Sequence, residues 1–293
     1  MENLIIIGSG PAGMTAGIYA ARAGLKPVVL EGLESGGQLM QTQHVANYPG
    51  FPETVSGPSI IAAIRAQAEK AGVRFVMDAV ESVDFSRRGV PSASGGAEAN
   101  PLLLHTMMGD TLEAKAVVVA TGAGVTRTNL PGEAKYWGRG ISACLTCDGA
   151  FYAGRRVLVV GTGPATVGAR AYLSRCGAEV VAVLAPDEIV SFDGAEGRLT
   201  GVTLKASGES VPADGLFLVT ARTPQTSFLG GALELDATGH VVVDGTRTSV
   251  SGVFAAGDCA RPHHKQAVIA AGDGALAALE VQRYLTRDAR GAS

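Results

Sequence analysis

Leu4-Ile5-Ile6-Ile7-Gly8-Ser9-Gly10-Pro11-Ala12-Gly13 decides the fold. Leu4 to Ile7 is a short, fully apolar run, the mark of a central parallel strand buried on both faces. It leads directly into a Gly-x-Gly-x-x-Gly turn, and each part of that turn has a physical job. Gly8 allows the tight turn, Gly10 lets the backbone approach a pyrophosphate, and Gly13 lets helix and strand pack closely. Pro11 and Ala12 complete the turn, and the alanine-rich stretch from Met14 to Gly24 reads as a helix whose first N–H groups face the phosphates. Pro27 to Leu30 reads as the next strand. It ends at Glu31, 23 residues after Gly8, where a carboxylate accepts hydrogen bonds from ribose hydroxyls. A glycine-rich loop without a ligand is the bland alternative. Strand, helix and terminal acid together favour a dinucleotide site.

The pattern returns at Val157 to Val160, followed by Gly161-Thr-Gly163-Pro-Ala-Thr166, a helix candidate from Val167 to Cys176 and a strand from Glu179 to Leu184. This internal repeat points to two related nucleotide folds in one chain. The copy is damaged. Thr166 stands at the third glycine position, where a branched side chain should obstruct close packing. The strand ends in Leu184-Ala185-Pro186, with no acid for a 2′-hydroxyl and no arginine for a 2′-phosphate. Cys176 to Ala221 holds seven acids against Arg198 and Lys205, and that excess would repel the 2′-phosphate of NADPH. The alternative is an unusual loop that still binds NADPH through Arg175 or Arg222.

Cys144-Leu-Thr-Cys147-Asp148 lies before the second turn. Two thiols that bracket two residues can share the first turn of a helix and close a small disulfide ring, and a helix N-terminus favours the thiolate. A structural zinc site would need four ligands, and Cys176 and Cys259 are isolated. Cys176 reads as a core thiol, Cys259 as packing, and His263-His264 as a solvated loop.

The chain has 293 residues, 46% of them hydrophobic, which suffices for two domains with sizeable cores. A net charge of −3 argues against general nucleic-acid binding. No apolar run reaches membrane-spanning length, the first residues do not read as a signal peptide, and four irregularly spaced cysteines do not suit a disulfide-stapled secreted protein. A cytoplasmic enzyme is expected.

Gly8-Ser-Gly10-Pro-Ala-Gly13, Gly36-Gly-Gln-Leu39, Asn47-Tyr-Pro-Gly50, Ala120-Thr-Gly122, Ser142-Ala-Cys144-Leu-Thr-Cys147-Asp148-Gly149, Gly257-Asp258 and Gln266-Ala267 follow in an order and spacing that resembles the low-molecular-weight thioredoxin reductase flavoproteins over nearly the whole chain. The resemblance implies an α/β fold of two Rossmann-like, three-layer nucleotide-binding domains, the first split in sequence. Residues 1–112 and 247–293 are then the FAD domain, and 116–244 a shortened pyridine-nucleotide-like domain carrying the cysteine pair. It implies FAD contacts at Gly8, Gly10, Pro11, Ala12, Gly13, Glu31, Gly37, Gln38, Leu39, Asn47, Ala120, Thr121, Gly122, Gly257, Asp258, Lys265, Gln266 and Ala267. Asp258 would bind the ribityl chain, and the helix start at Gln266-Ala267 would aim N–H groups at the isoalloxazine ring. Cys147 would face the flavin, Cys144 would attack the substrate disulfide, and Asp148 would protonate the leaving thiolate. A homodimer is also implied.

The departures matter as much. The family keeps a His-Arg-Arg stretch for the NADPH phosphate where this chain has Leu184-Ala185-Pro186, and the second domain is shortened after Pro186. Ala221 and Gln225 replace a usual glycine and asparagine. The chain is therefore more similar to the pyridine-nucleotide-independent branch, whose members take electrons from ferredoxin or from a donor not yet identified. Thioredoxin or another dithiol protein is the expected partner. An acidic ferredoxin would dock on basic surface, with Arg87-Arg88, Arg155-Arg156 and Arg261 with Lys265 as candidates. Ser86 to Asn100 reads as a loop tip. Crossings between domains are expected within Thr111–Leu130 and Asp244–Ser249, and two crossings allow hinge rotation. The rival functions are a dithiol oxidase that passes electrons to oxygen, an ordinary NADPH enzyme with an atypical site, and a flavin-binding sensor or scaffold.

Overall fold

The computed structural model of the chain describes residues 1–88 and 100–291. The chain begins with β1 (Glu2–Ile7), α1 (Pro11–Arg22) and β2 (Val28–Leu30). Then come α2 (Gly57–Ala71), β3 (Arg74–Val76), β4 (Val80–Asp84), β5 (Leu102–Thr106), β6 (Thr111–Val119) and β7 (Ala123–Val125). α3 (Glu133–Tyr136), β8 (Ile141–Ser142), α4 (Leu145–Asp148), β9 (Arg156–Gly161), α5 (Pro164–Arg175) and β10 (Glu179–Leu184) follow. The rest is β11 (Ile189–Ala195), β12 (Arg198–Leu204), β13 (Ser210–Pro212), β14 (Gly215–Val219), β15 (Arg222–Pro224), β16 (Val253–Ala255) and α6 (Ala267–Gly291).

Packing divides the chain into two compact units. The first comprises Met1–Met40, Pro58–Gly124 and Thr223–Ser293, and the second Gln41–Gly57 and Val125–Arg222. The division has four boundaries: those at Met40–Gln41 and Gly57–Pro58 were not expected, and that at Gly124–Val125 falls within Thr111–Leu130. The fourth lies at Arg222–Thr223, upstream of Asp244–Ser249, and the reason is burial. Leu229, Leu233 and Val241 pack with Ile5, Val28 and Val117 in the core of the first unit. Each such side chain contributes about 1.5–3 kcal/mol on leaving water, so this stretch stays with the core it fills. The expected loop tip at Ser86–Asn100 lies largely outside the described residues.

The first unit is built on a seven-stranded sheet ordered β3-β2-β1-β6-β5-β4. β16 is the seventh strand, parallel to β6 through Val117–Val119. β1 is parallel to both β2 and β6, and Leu4, Ile5 and Ile6 are fully buried, as the apolar run requires. The second unit has a parallel sheet ordered β10-β9-β14-β8 and an antiparallel sheet ordered β11-β12-β13. Its core runs from Leu158 and Val160 to Phe192, Val202 and Leu216.

Comparing the two units shows what the repeat has lost. In the first, β2 is followed by α2 and a further parallel strand, β3. In the second, β10 is followed by a short turn at Pro186–Glu188 and then directly by β11. The second crossover, helix and strand together, is absent between β10 and β11. β10 is therefore the edge of its sheet, and Val183 is exposed where every residue of β2 is buried.

Candidate functional site

The first glycine turn has the geometry its residue types demand. Gly8 has φ +110°, and a Cβ there would lie 2.4 Å from the Ala120 carbonyl oxygen. A Cβ on Gly13 would lie 1.8 Å from the Gly8 carbonyl oxygen. At Gly10, by contrast, no atom lies within 4 Å of where a Cβ would be. The turn is thus closed toward the sheet and open at Gly10, the position through which a pyrophosphate would approach. Pro11 occupies the first turn of α1, where its missing N–H costs nothing.

The other predicted contacts gather at the carboxyl ends of β1, β6 and β16. Ala120 follows β6 and donates its N–H to the Ile7 carbonyl at 2.8 Å. Thr121 Oγ1 donates to the Gln225 carbonyl at 2.6 Å, and Gly122 accepts from the Gln225 N–H at 3.0 Å. Gly37, Gln38 and Leu39 form a short turn, Gly37–Gln41, with Gly37 against Gly10 and Gln38 Nε2 donating to the Ala123 carbonyl. Gly257, at φ +76°, packs on Ala12. Asp258 lies in the turn Gly257–Cys259 that follows β16. Ala267 is the first residue of α6, and Gln266 accepts from the Ala270 N–H at 2.9 Å. Asn47 falls in the 41–57 segment, which packs with the second unit.

Glu31 is 5% exposed at the end of β2. Burial works against its ionisation, yet hydrogen bonds from Arg65 and from Ser35 at 2.7 Å, with the Arg65 charge, hold its carboxyl below the usual range. An ionised acid beside an open glycine turn and a helix N-terminus is the donor and acceptor set that a dinucleotide needs, so these residues fit FAD.

The cysteine pair belongs to the second unit. Cys144 and Cys147 form a disulfide, with Sγ–Sγ 2.07 Å and Cα–Cα 5.2 Å. The local helix is a single turn, Leu145–Asp148, with Cys144 as its cap, so the expected help from a helix dipole is small. Ser142 organises the turn in its place. Its Oγ accepts from the Cys144 N–H at 3.0 Å and donates to Asp148 Oδ2 at 2.5 Å, while the Asp148 N–H donates to the Cys144 carbonyl at 3.1 Å. The acid is thereby tied to the pair at both its backbone and its carboxylate. Burial pushes the Asp148 carboxyl up, against the opposing effects of Ser142 and of the nearby His44. A carboxyl shifted upward holds a proton closer to neutral pH, as a proton donor to a thiolate must. The only sequence signal for the role of Ser142 is its position two residues before Cys144. His44, whose ring packs edge-on against Phe151 at 6.1 Å, carried none.

The second glycine turn is rebuilt rather than merely substituted. Gly161 keeps the close approach, since a Cβ there would lie 2.3 Å from the Val219 carbonyl oxygen. The caps of the two helices differ. Gly10 has φ −72° before α1, whereas Gly163 has φ +77° before α5. Thr166 is buried and donates its hydroxyl to the Gly163 carbonyl at 2.8 Å. The branched side chain is therefore accommodated on a different backbone path. At the end of β10, Ala185 donates its N–H to Glu188 Oε2 at 2.6 Å, so a carboxylate folds back where a phosphate-binding cation would be needed.

Arg175 ends α5, about 16 Å along the axis from its first turn at 1.5 Å per residue. Arg222 Nη2 donates to the Ala143 carbonyl at 2.8 Å, beside Cys144. Among the basic candidates for docking, Arg88 is spent on the carbonyls of Asn100, Lys115 and Ser251, and Arg261 pairs with Asp273. Arg155 and Arg156 are both exposed. No helix among the described residues is long and apolar enough to cross a membrane.

Two Rossmann-type units with the Cys144–Cys147 disulfide on the second fit a disulfide oxidoreductase of the flavoprotein class. A family model described as Pyridine nucleotide-disulphide oxidoreductase matches residues 2–200 and 181–274. The chain is 37% identical to the thioredoxin reductase of Coxiella burnetii over 323 residues, covering 97% of this chain and 96% of that one. It is 38% identical to the NADPH-dependent thioredoxin reductase 3 of Arabidopsis thaliana over 98% of its own length, and spans 59% of that protein. The solved thioredoxin reductase of Giardia duodenalis superposes with a TM-score of 0.84 at 35% identity, covering 97% of this chain and 98% of that one. The chain belongs to the pyridine nucleotide-disulphide oxidoreductase family, as a low-molecular-weight thioredoxin-reductase-like, FAD-binding flavoprotein. The alignments run beyond 293 columns, so the relatives carry segments that this chain lacks.

Proposed function

We propose that this protein is an FAD-dependent disulfide reductase that serves thioredoxin or another dithiol protein and draws its electrons from a donor other than NADPH. Ferredoxin is the donor class we favour. The observation that carries this reading is the end of β10, where the Ala185 N–H is capped by the Glu188 carboxylate. The altered path at Gly163 and the loss of the crossover after β10 support it further. The exposed Arg155-Arg156 pair supports an acidic donor.

Bound FAD would accept electrons from the donor and supply two of them to the Cys144–Cys147 disulfide. Gly8, Gly10 and Gly13 would cradle its pyrophosphate, Glu31 its ribose, and Asp258 its ribityl chain. Two single-electron carriers and two protons are consumed per disulfide reduced. Once reduced, the Cys144 thiolate attacks a partner disulfide sulfur, and Asp148 protonates the thiolate that leaves. Cys147 then attacks Cys144 Sγ, releases the second partner thiol and restores the pair.

Asp148→Asn is expected to slow disulfide exchange by about 100-fold. Its stability should move the other way. Because burial raises the carboxyl, the ionised form is disfavoured in the folded state above its folded pKa. Thermal melting of the variant should therefore equal or exceed wild type at neutral pH, and any excess should vanish as pH falls and Asp148 takes up its proton. A variant that loses turnover and stability together at neutral pH would instead mark Asp148 as a packing residue.

The function is tested by measuring thioredoxin reduction with photoreduced ferredoxin and, separately, with NADPH. Turnover with ferredoxin alone supports the proposal. Turnover with NADPH at comparable rates supports the second reading, an ordinary NADPH enzyme, which the similarity to the NADPH-dependent thioredoxin reductase 3 of Arabidopsis thaliana favours. Rapid oxygen uptake with small dithiols would identify a dithiol oxidase.

A further inference from the structure

His240 is 4% exposed and belongs to neither the dithiol site nor the glycine turns. It follows the tight turn Asp236–Gly239, which closes through the Asp236 side chain and backbone. Its Nε2 lies 2.9 Å from Lys265 Nζ, and Lys265 Nζ also donates to the Asp258 carbonyl at 3.3 Å. An ammonium can only donate, so Nε2 accepts and the imidazole carries its proton on Nδ1. Nδ1 lies 2.7 Å from Thr238 Oγ1, whose hydroxyl lies 2.7 Å from Asp236 Oδ1. A continuous chain of hydrogen bonds thus runs from Lys265 through His240 and Thr238 to Asp236, every member within the first unit.

We propose that His240 is a positioning residue that, in its neutral form, holds the Lys265 ammonium against the Asp258 turn and so sets the positive charge beside the flavin. This rests on the reading that Asp258, Lys265 and the start of α6 border the flavin. An ammonium there favours the reduced, more negative cofactor over the oxidised one. The bond exists only while Nε2 has a free lone pair. A protonated imidazole would present a second donor and a second positive charge to Lys265, and the ammonium would leave.

The groups that face His240 define its titration. Burial and Lys265 lower its pKa, His263 adds to that, and Asp236, 3.8 Å from Nδ1, opposes it. His240 is therefore neutral at pH 7 and charges only below the ordinary histidine range. Its contribution to folding is present above that range and lost as pH falls through the lowered value.

The test is an anaerobic potentiometric titration of the FAD-loaded protein from about pH 5 to about pH 8. At neutral pH, Lys265→Met should shift the reduced-to-oxidised ratio about tenfold toward oxidised flavin, about 30 mV for a two-electron couple. His240→Phe should do the same, the double variant no more, and His240→Gln, which keeps an acceptor near Nε2, should recover most of it. The gap between wild type and Lys265→Met should close in acid. This last comparison needs no change at the buried site, so it stands even if His240→Phe fails to fold. A wild-type potential in His240→Phe, fully additive shifts, or a gap constant with pH would overturn the assignment. An unchanged potential in Lys265→Met at every pH would instead overturn the reading of Lys265 as a flavin neighbour, and the role of His240 with it.

Discussion

Cys144→Ser and Cys147→Ser are each expected to lower disulfide turnover by roughly 10⁴-fold or more, because the proposed cycle uses both sulfurs of the Cys144–Cys147 bond and a hydroxyl replaces neither. FAD stays bound at full occupancy, since the predicted flavin contacts other than Asn47 lie in the first unit, while the pair belongs to the second. The two variants should differ in kind. Cys144→Ser leaves no thiol to attack the partner, so no mixed disulfide with thioredoxin should form. Cys147→Ser keeps the attacking thiol and cannot resolve the adduct, so a mixed disulfide should accumulate and be visible on a non-reducing gel. Turnover within tenfold of wild type in either variant would remove the pair from the mechanism.

Gly13→Ala is the second large effect, and it is steric. The added methyl would sit 1.8 Å from the Gly8 carbonyl oxygen, a backbone atom that cannot swing aside as a flexible side chain can. β1 and α1 must separate or the turn must change path. The expected loss is about 3 kcal/mol or more of stability, together with most of the bound FAD, measured by thermal melting and by flavin absorbance per chain. Gly10→Ala is the matched control. Nothing lies within 4 Å of its Cβ position, and its φ of −72° suits any residue. The apo-protein should melt as wild type does, while flavin affinity falls because the methyl occupies the approach of the pyrophosphate. Equal stability losses in the two variants would mean that both glycines serve packing alone.

These two cases show which features were legible in the amino-acid sequence. The first turn could be read because its determinants are local. A buried strand, two glycines at fixed spacing and an acid at the next strand end are contiguous or nearly so. The cysteine pair was legible for the same reason. The observed strand Glu179–Leu184 coincides with its expected range, and α1 and α5 begin three residues earlier than expected because proline is at home in the first turn.

Features set by distant packing were harder to read. The crossing at Arg222–Thr223 depends on where Leu229, Leu233 and Val241 find their core, and no local signal reports that. The loss of the second glycine turn was visible as Thr166, yet its consequence was not. The move of positive φ to Gly163 and the closure of Ala185 by Glu188 depend on how the loop relaxes around a side chain. Ser142 and His240 act through hydrogen bonds to residues that were already suspected, Asp148 and Lys265. A polar residue near a motif gives no sign of such a bond until the fold brings the partners together.

The central claim is that electrons reach the flavin without a pyridine nucleotide. The most direct measurement follows flavin absorbance of the purified protein under anaerobic conditions during addition of NADPH, then NADH, then photoreduced ferredoxin with thioredoxin present. Neither nucleotide is expected to bleach the flavin, and bleaching with thioredoxin reduction is expected once ferredoxin is added. Rapid bleaching by NADPH would contradict that claim, and would mean that the rebuilt turn at Gly163 still binds the nucleotide productively.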